Sequence, residues 1–289
     1  MEQVIIIGLG LMGGSLARDL KKTGKYSVLG MDKNNKHQQL ALELGFIDEL
    51  VHMEQITEAD FVVLATPVNA IPSLALEVLN RLHEEAVVFD MGSIKNPLCK
   101  YTQSHPKRSQ LVAVHPIAGT EYSGPTAAIE NLFRNKLTII CEPELSNKNA
   151  LEKTIELWKN LGARIQFMNA VEHDKHLAYV SHLSHISSFM LGKTVLEIEN
   201  DERQIFNLAG SGFESTVRLA KSAPQTWAPI FLENQQYILK SLDEYIYNLT
   251  QFRSLIYHND EQALHSIMNQ CNHVGEILAG IALKNNQEH

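Results

Sequence analysis

The sequence predicts an α/β fold, a doubly wound and mostly parallel sheet followed by an all-helical domain. Three observations carry that reading. Short apolar, β-branched runs recur up to about residue 168, with amphipathic stretches between them. A glycine-rich turn joins the first run to the first amphipathic stretch. Beyond residue 169 the runs stop, and long segments with apolar residues at helical spacing replace them. A chain of 289 residues suits about two domains, on a prior of ~150 residues each. We place them at 1–168 and 169–289.

The strand candidates are 4–8, 28–31, 61–66, 86–90, 111–114, 137–141 and 164–168. Such continuous apolar runs mark strands buried on both faces, as in a parallel sheet covered by helices. The last strands are the candidates for departing from parallel. Stretches 14–22 and 71–83 fit connecting helices, and Asn96-Pro97 opens another, since proline is tolerated in a first turn. In the second half, 170–199 runs without proline and carries Leu177, Val180, Leu183, Phe189 and Met190 at helical spacing. A loop at 208–213 is expected to break the helical half, with further helices over 229–248 and 261–284. Apolar faces too long for one small domain to cover point to a homodimer through this half, or to a folded-back bundle.

Composition narrows the partners. Hydrophobic residues make up 44% and charged residues 20%, as in an ordinary globular protein. A net charge of −8 argues against nucleic acid or an anionic membrane. An anionic substrate must therefore be held by a local basic group. Three widely spaced cysteines match neither a disulfide framework nor a zinc site. No basic leader precedes the first strand, and no apolar run reaches the ~20 residues of a bilayer span. The expectation is a cytoplasmic protein without membrane contact.

Gly8-Leu9-Gly10-Leu11-Met12-Gly13 lies between the first strand and a helix, the context a dinucleotide fingerprint requires. The first glycine permits the turn, the second lets backbone approach a pyrophosphate, and the third lets helix and strand pack closely. Asp32, 19 residues after Gly13, ends the second strand where a carboxylate can bond both ribose hydroxyls. It would repel a 2′-phosphate, and Lys33-Asn34-Asn35 offers no arginine, so NAD is favoured over NADP. Without that context the same glycines would fit a tight turn in another α/β fold. Thr66-Pro67 fits either the cofactor rim of this Rossmann-type domain or a simple strand end.

The second cluster centres on His115-Pro116-Ile117-Ala118-Gly119-Thr120-Glu121, which follows the apolar run 111–114. Ligands bind at the carboxyl ends of strands in open α/β sheets. A histidine there can exchange a proton near neutral pH. Ser93, after the strand ending at Asp90, could share the His115 hydrogen bond with a substrate hydroxyl or serve as a cap residue. Thr120 and Glu121 could line or orient the pocket. In the helical half Ser181 and His185 fall on one helical face, with His182 turned away. His173 and His176 lie nearby, but these spacings do not complete a metal site, and none is expected. Arg218 could clamp a carboxylate or sit on the surface. Trp227 could wall the pocket or belong to the core.

Taken together, these segments resemble the prephenate dehydrogenase family, including its arogenate-using relatives. The resemblance runs through GLGLMGGSLA (8–17), DMGSIK (90–95), HPIAGTE (115–121), SHLSH (181–185) and GSGFESTVRLAKSAPQTW (210–227). It implies a nucleotide domain, a helical dimerisation domain, and oxidative decarboxylation of prephenate to 4-hydroxyphenylpyruvate with NAD. By position it implies that His115 accepts a hydrogen bond from the ring hydroxyl, with Ser93 in support. Arg218 would bind a substrate carboxylate, with Ser181, His185, Thr120 and Trp227 around the pocket. Ser211, Ser215 and Val217 depart from the residues many relatives carry, which puts substrate choice in doubt more than the reaction. Alternatives are an arogenate dehydrogenase, a β-hydroxyacid dehydrogenase using Lys193, and an NAD-sensing protein without turnover.

Overall fold

A computed structural model of the chain describes residues 1–199 and 205–287. Its strands are β1 (Glu2–Ile7), β2 (Tyr26–Met31), β3 (Glu49–Leu50), β4 (Phe61–Leu64), β5 (Val87–Asp90), β6 (Leu111–Pro116), β7 (Leu137–Cys141) and β8 (Arg164–Met168). They form one sheet in the order β3-β2-β1-β4-β5-β6-β7-β8. Every pairing is parallel except β6 with β7, so β7 and β8 run against the rest. The departure from parallel expected of the last strands is therefore real. The two-residue β3 went unforeseen because so short an edge strand leaves no apolar run.

β4 and β5 are buried at every residue. Alternate side chains enter opposite layers: Phe61 and Val63 join one core, Val62 and Leu64 the other. On the first face, Tyr26, Phe61, Phe89, Trp158 and Phe133 meet edge to face in succession, with centroids between 5.1 and 6.4 Å. The covering helices are α1 (Leu11–Thr23), α2 (Asn35–Glu43), α3 (Ile71–Arg81), α4 (Asn96–Thr102) and α5 (Lys148–Asn160). α1 starts ahead of the expected residue 14 because Gly13 and Gly14 are accommodated inside its first turn.

The helical half continues as α6 (Ala170–Leu177), a π turn at Ala178–His182, and α7 (Leu183–Glu199). The expected single helix over 170–199 is thus widened in its middle. Then come α8 (Ser211–Val217), α9 (Pro224–Glu233), α10 (Gln235–Tyr257) and α11 (Glu261–Gln287). Two expectations are corrected here. The loop at 208–213 is shorter than expected, since Gly210 is an extended N-cap and α8 already includes Gly212 and Phe213. The helix expected from 229 is two helices: Pro224 occupies the first turn of α9, and the break falls at Asn234 rather than at Pro229.

The chain divides into two compact units, Met1–Ile238 and Leu239–His289. α6 to α9 thus group with the sheet, whereas the expected boundary stood at 168/169. Residues 200–204 and 288–289 of the expected second domain lie outside the described residues. The second unit carries exposed Ile246, Leu249 and Ile256 on α10, and exposed Val274, Ile277 and Leu278 on α11. Among the described residues, no helix is long and apolar enough to cross a membrane.

Candidate active site

The carboxyl ends of β1, β2, β4, β5 and β6 share one edge of the sheet, because these strands are mutually parallel. Strand order reverses between β1 and β4, the switch point at which such sheets bind ligands. Gly8 there has φ +102°, and a Cβ on it would meet the Ala65 carbonyl oxygen at 2.5 Å. A Cβ on Gly13 would lie 1.9 Å from the Gly8 carbonyl oxygen. Around Gly10 a Cβ would meet nothing within 4 Å. The protein's own packing therefore requires the first and third glycines, while Gly10 keeps open the space beside the loop.

Leu11 and Met12 begin α1, whose first turn has neither an acidic residue nor a side-chain cap, so its N–H groups are available to an anion. Asp32, just past β2, is already employed: its Oδ2 accepts the Leu9 N–H and its Oδ1 the Asn34 N–H, both at 2.8 Å. His37 Nδ1 lies 3.6 Å from Oδ2. Thr66, after β4, buries a hydroxyl with no hydrogen-bond partner, and Pro67 turns the chain into α3 through the Ala70 N–H (2.9 Å). The open glycine, the bare helix start, the acid at β2 and an orphaned hydroxyl at the rim together fit a dinucleotide.

His115 lies in β6, 8% exposed. Its Nδ1 is 2.8 Å from His173 Nε2, and His173 Nδ1 is 2.7 Å from Asp174 Oδ1. Asp174 also accepts the Lys95 N–H on Oδ1 and the Asn96 N–H on Oδ2, both at 2.8 Å, which pins α6 to the start of α4. Lys95, fully buried, pairs with the equally buried Asp90 and donates to the Val114 carbonyl (2.6 Å). Asp90 in turn accepts the Val114 N–H (3.0 Å) and the Gly92 N–H (2.9 Å), fixing the backbone just before His115. Burial, followed by the unfavourable electrostatic interaction a protonated His115 would have with His173, Lys95 and His182, pushes the His115 pKa well below the usual imidazole range. It is neutral at physiological pH.

From Asp174 the network runs on. Asn234 donates to the Asp174 carbonyl (2.8 Å) and lies 3.1 Å from His182 Nδ1. His182 meets Trp227 edge-on at 6.1 Å, and His185 stacks on the same indole at 3.3 Å between centroids. The expectation that His182 turns away is therefore corrected: His182 at the end of the π turn and His185 in the first turn of α7 both face Trp227, and His182 is the more buried. Burial pulls His182 down to about 4. It also lowers His185, whose Nδ1 engages the Ser181 carbonyl at 3.0 Å.

The HPIAGTE loop leaves β6 over the start of α1, where a Cβ on Gly119 would lie 3.8 Å from Met12 Sδ. Thr120 is exposed, and its hydroxyl accepts the Tyr122 N–H at 3.3 Å. Glu121, largely shielded, lies 3.5 Å from the Arg218 guanidinium, which ties Arg218 to this loop. Ser93 sits in the β5–α4 turn, but the ring nitrogen that His115 shares within the protein goes to His173. Lys193 pairs with Glu197 on an exposed face of α7. His173, Asp174, Lys95 and Asn234 were not legible as site residues. The only sequence signal was His173-Asp174, two adjacent ionisable residues that the helix start buries together.

A mostly parallel sheet with a glycine cradle at its switch point, and a neutral buried histidine on the same edge, defines the class of nucleotide-binding oxidoreductases. The family model described as prephenate dehydrogenase, nucleotide-binding domain, matches residues 16–167, and that described as prephenate dehydrogenase, dimerization domain, matches 169–270. A prephenate dehydrogenase of Bacillus subtilis is 33% identical over 269 residues, covering 91% of this chain and 72% of its own. The crystal structure of the A. aeolicus prephenate dehydrogenase with hydroxyphenyl propionate and NAD+ has a TM-score of 0.86 at 32% identity, covering 94% and 96% of the two chains. That of Synechocystis arogenate dehydrogenase has a TM-score of 0.74 at 28% identity, covering 93% and 97%. The chain belongs to the prephenate dehydrogenase family.

Proposed function

We propose that this chain oxidatively decarboxylates prephenate to 4-hydroxyphenylpyruvate with NAD, a step toward tyrosine. The observation that carries the reading is the neutral, buried His115 at the sheet edge that holds the glycine cradle, in a member of this family. Gly8, Gly10, Leu11, Met12, Gly13, Asp32, Thr66 and Pro67 would hold the dinucleotide, which when bound supplies the hydride acceptor. His115 accepts the proton of the ring hydroxyl as C4 becomes a carbonyl, and Ser93 supports that hydrogen bond. Arg218, released from Glu121, binds a substrate carboxylate bidentately. Ser181, His185, Thr120 and Trp227 line the ring and side chain. Loss of carbon dioxide leaves an aromatic ring, so alignment and one proton acceptor suffice.

Arogenate, named for the Synechocystis relative, is the second reading, since it differs only in the side chain and leaves the ring chemistry at His115 unchanged. The test is NADH or NADPH formation at 340 nm, with prephenate and arogenate side by side and each coenzyme in turn. Turnover with prephenate and NAD is expected. A preference for NADP above tenfold would overturn the role given to Asp32. Tight NAD binding without turnover of either substrate would make the chain a sensor.

The dimerisation-domain match and the exposed apolar residues of α10 and α11 support a homodimer through the helical half. Cys99, Cys141 and Cys271, all free thiols, suit a cytoplasmic enzyme.

A further inference from the structure

The chemistry asks His115 for one bare ring nitrogen, and the residues behind it decide which. Asp174 is 1% exposed and receives backbone N–H groups on both carboxylate oxygens. It is an acceptor toward His173 as well, so His173 Nδ1, 2.7 Å away, carries the hydrogen. An imidazole that carries one N–H has its other ring nitrogen bare. With that one N–H on its Asp174 side, His173 offers a bare Nε2, 2.8 Å from His115 Nδ1, as the acceptor for an Nδ1–H of His115. That leaves Nε2 of His115 without a hydrogen, and it has no partner among the described residues.

We propose that His173 and Asp174 are positioning residues of the reaction: they lock His115 in the Nδ1–H tautomer and receive the positive charge it gains. This inference rests on the proton-acceptor reading of His115. When the substrate O–H bond breaks, its proton bonds to His115 Nε2. The electron pair left on oxygen forms the carbonyl as C4 gives up its hydride, which the bound dinucleotide would accept. The Nδ1–H of His115 moves to His173 Nε2, so the charge comes to rest beside the Asp174 carboxylate. As the bond to carbon dioxide breaks, its electron pair passes through the ring to that oxygen. The oxygen recovers the proton from His115, and the relay resets. Without the carboxylate, His115 would be a poor base, because the other groups facing it do not supply a net negative charge. Lys95 is paired with Asp90, and His182 on the π turn is neutral.

Nitrogen-15 NMR of the histidines in the wild-type protein at neutral pH, assigned against His115→Asn, reads the tautomer directly. The expected result is a hydrogen on Nδ1 of His115 and none on Nε2; a hydrogen on Nε2 would overturn the proposal. Two variants separate the lock from the relay. His173→Gln keeps an acceptor for His115 but cannot take up a proton. It should lower kcat about 10-fold with KM within about twofold, and move the acid limb of the kcat/KM profile to lower pH. His173→Phe removes the acceptor and should lower kcat about 100-fold or more. A folded His173→Phe protein with kcat within about twofold of wild type contradicts the proposal. If the wild-type protein fails to oxidise prephenate, the functional reading falls, and the NMR result still decides the tautomer.

Discussion

At the cofactor end, three glycines and the start of α1 build a cradle within a few residues of one another, almost wholly from backbone. At the catalytic end, the same amount of organisation draws side chains from Asp90, Lys95, His115, His173 and Asp174, in four separate elements and turns. A backbone-built site is specified by where side chains are absent, and its requirements are local. A side-chain-built site needs long-range convergence, and each buried polar group in it depends on its partner. The first kind should fail gently and selectively, the second steeply and with loss of stability.

The steepest expected failure is at the buried ion pair. Lys95→Met leaves the Asp90 carboxylate buried and unpaired, which should cost about 3–5 kcal/mol in urea unfolding. Adding Asp90→Asn should restore much of that loss. A single-variant loss below about 1 kcal/mol would remove the pair from the account.

Acid should come next. His182 has a folded pKa near 4, below the ordinary imidazole value of 6.5. The unfolded chain therefore binds protons first, and this stabilisation is complete above about pH 6.5 and declines as the pH falls toward 4. At 1.36 kcal/mol per unit, about 3 kcal/mol is lost over that window, and His115 adds loss in the same direction. Unfolding at pH 7 and pH 5 checks the sign. Replacement by His182→Gln should flatten the dependence, and equal stability of the wild type at the two pH values would contradict it.

The glycines sharpen the contrast. Gly13→Ala drives a methyl into the Gly8 carbonyl and should destabilise the free protein by about 1–3 kcal/mol. Gly10→Ala meets open space, so stability should stay within about 0.5 kcal/mol while NAD affinity falls about tenfold or more. Calorimetric titration with NAD separates the two, and unchanged affinity in Gly10→Ala would place the cofactor elsewhere. The smallest effect is at the exposed Arg218, where Arg218→Ala should raise KM for prephenate with kcat little changed. Unchanged kinetics would return Arg218 to an ordinary surface role.

The same contrast explains what could be read from the chain alone. The sheet was legible because β4 and β5, buried on both faces, must be unbroken apolar runs. The glycine cradle and Asp32 were legible because a strand, a turn and a helix start follow one another in sequence. His115 was legible from its place at a strand end. The network behind it was not, because no local pattern tells that α6 lays His173 and Asp174 against β6 and α4. The facing of His182 was misread because a π turn shifts the helical register, and nothing in Ala178–His182 announces one.

The most direct test of the central claim, that His115 accepts the substrate's hydroxyl proton, is the kcat of His115→Asn with prephenate, measured beside its NAD affinity. The account predicts a fall of about 10²–10⁴ in kcat with NAD binding nearly intact. A variant that folds, binds NAD and turns over at near-normal kcat would contradict it.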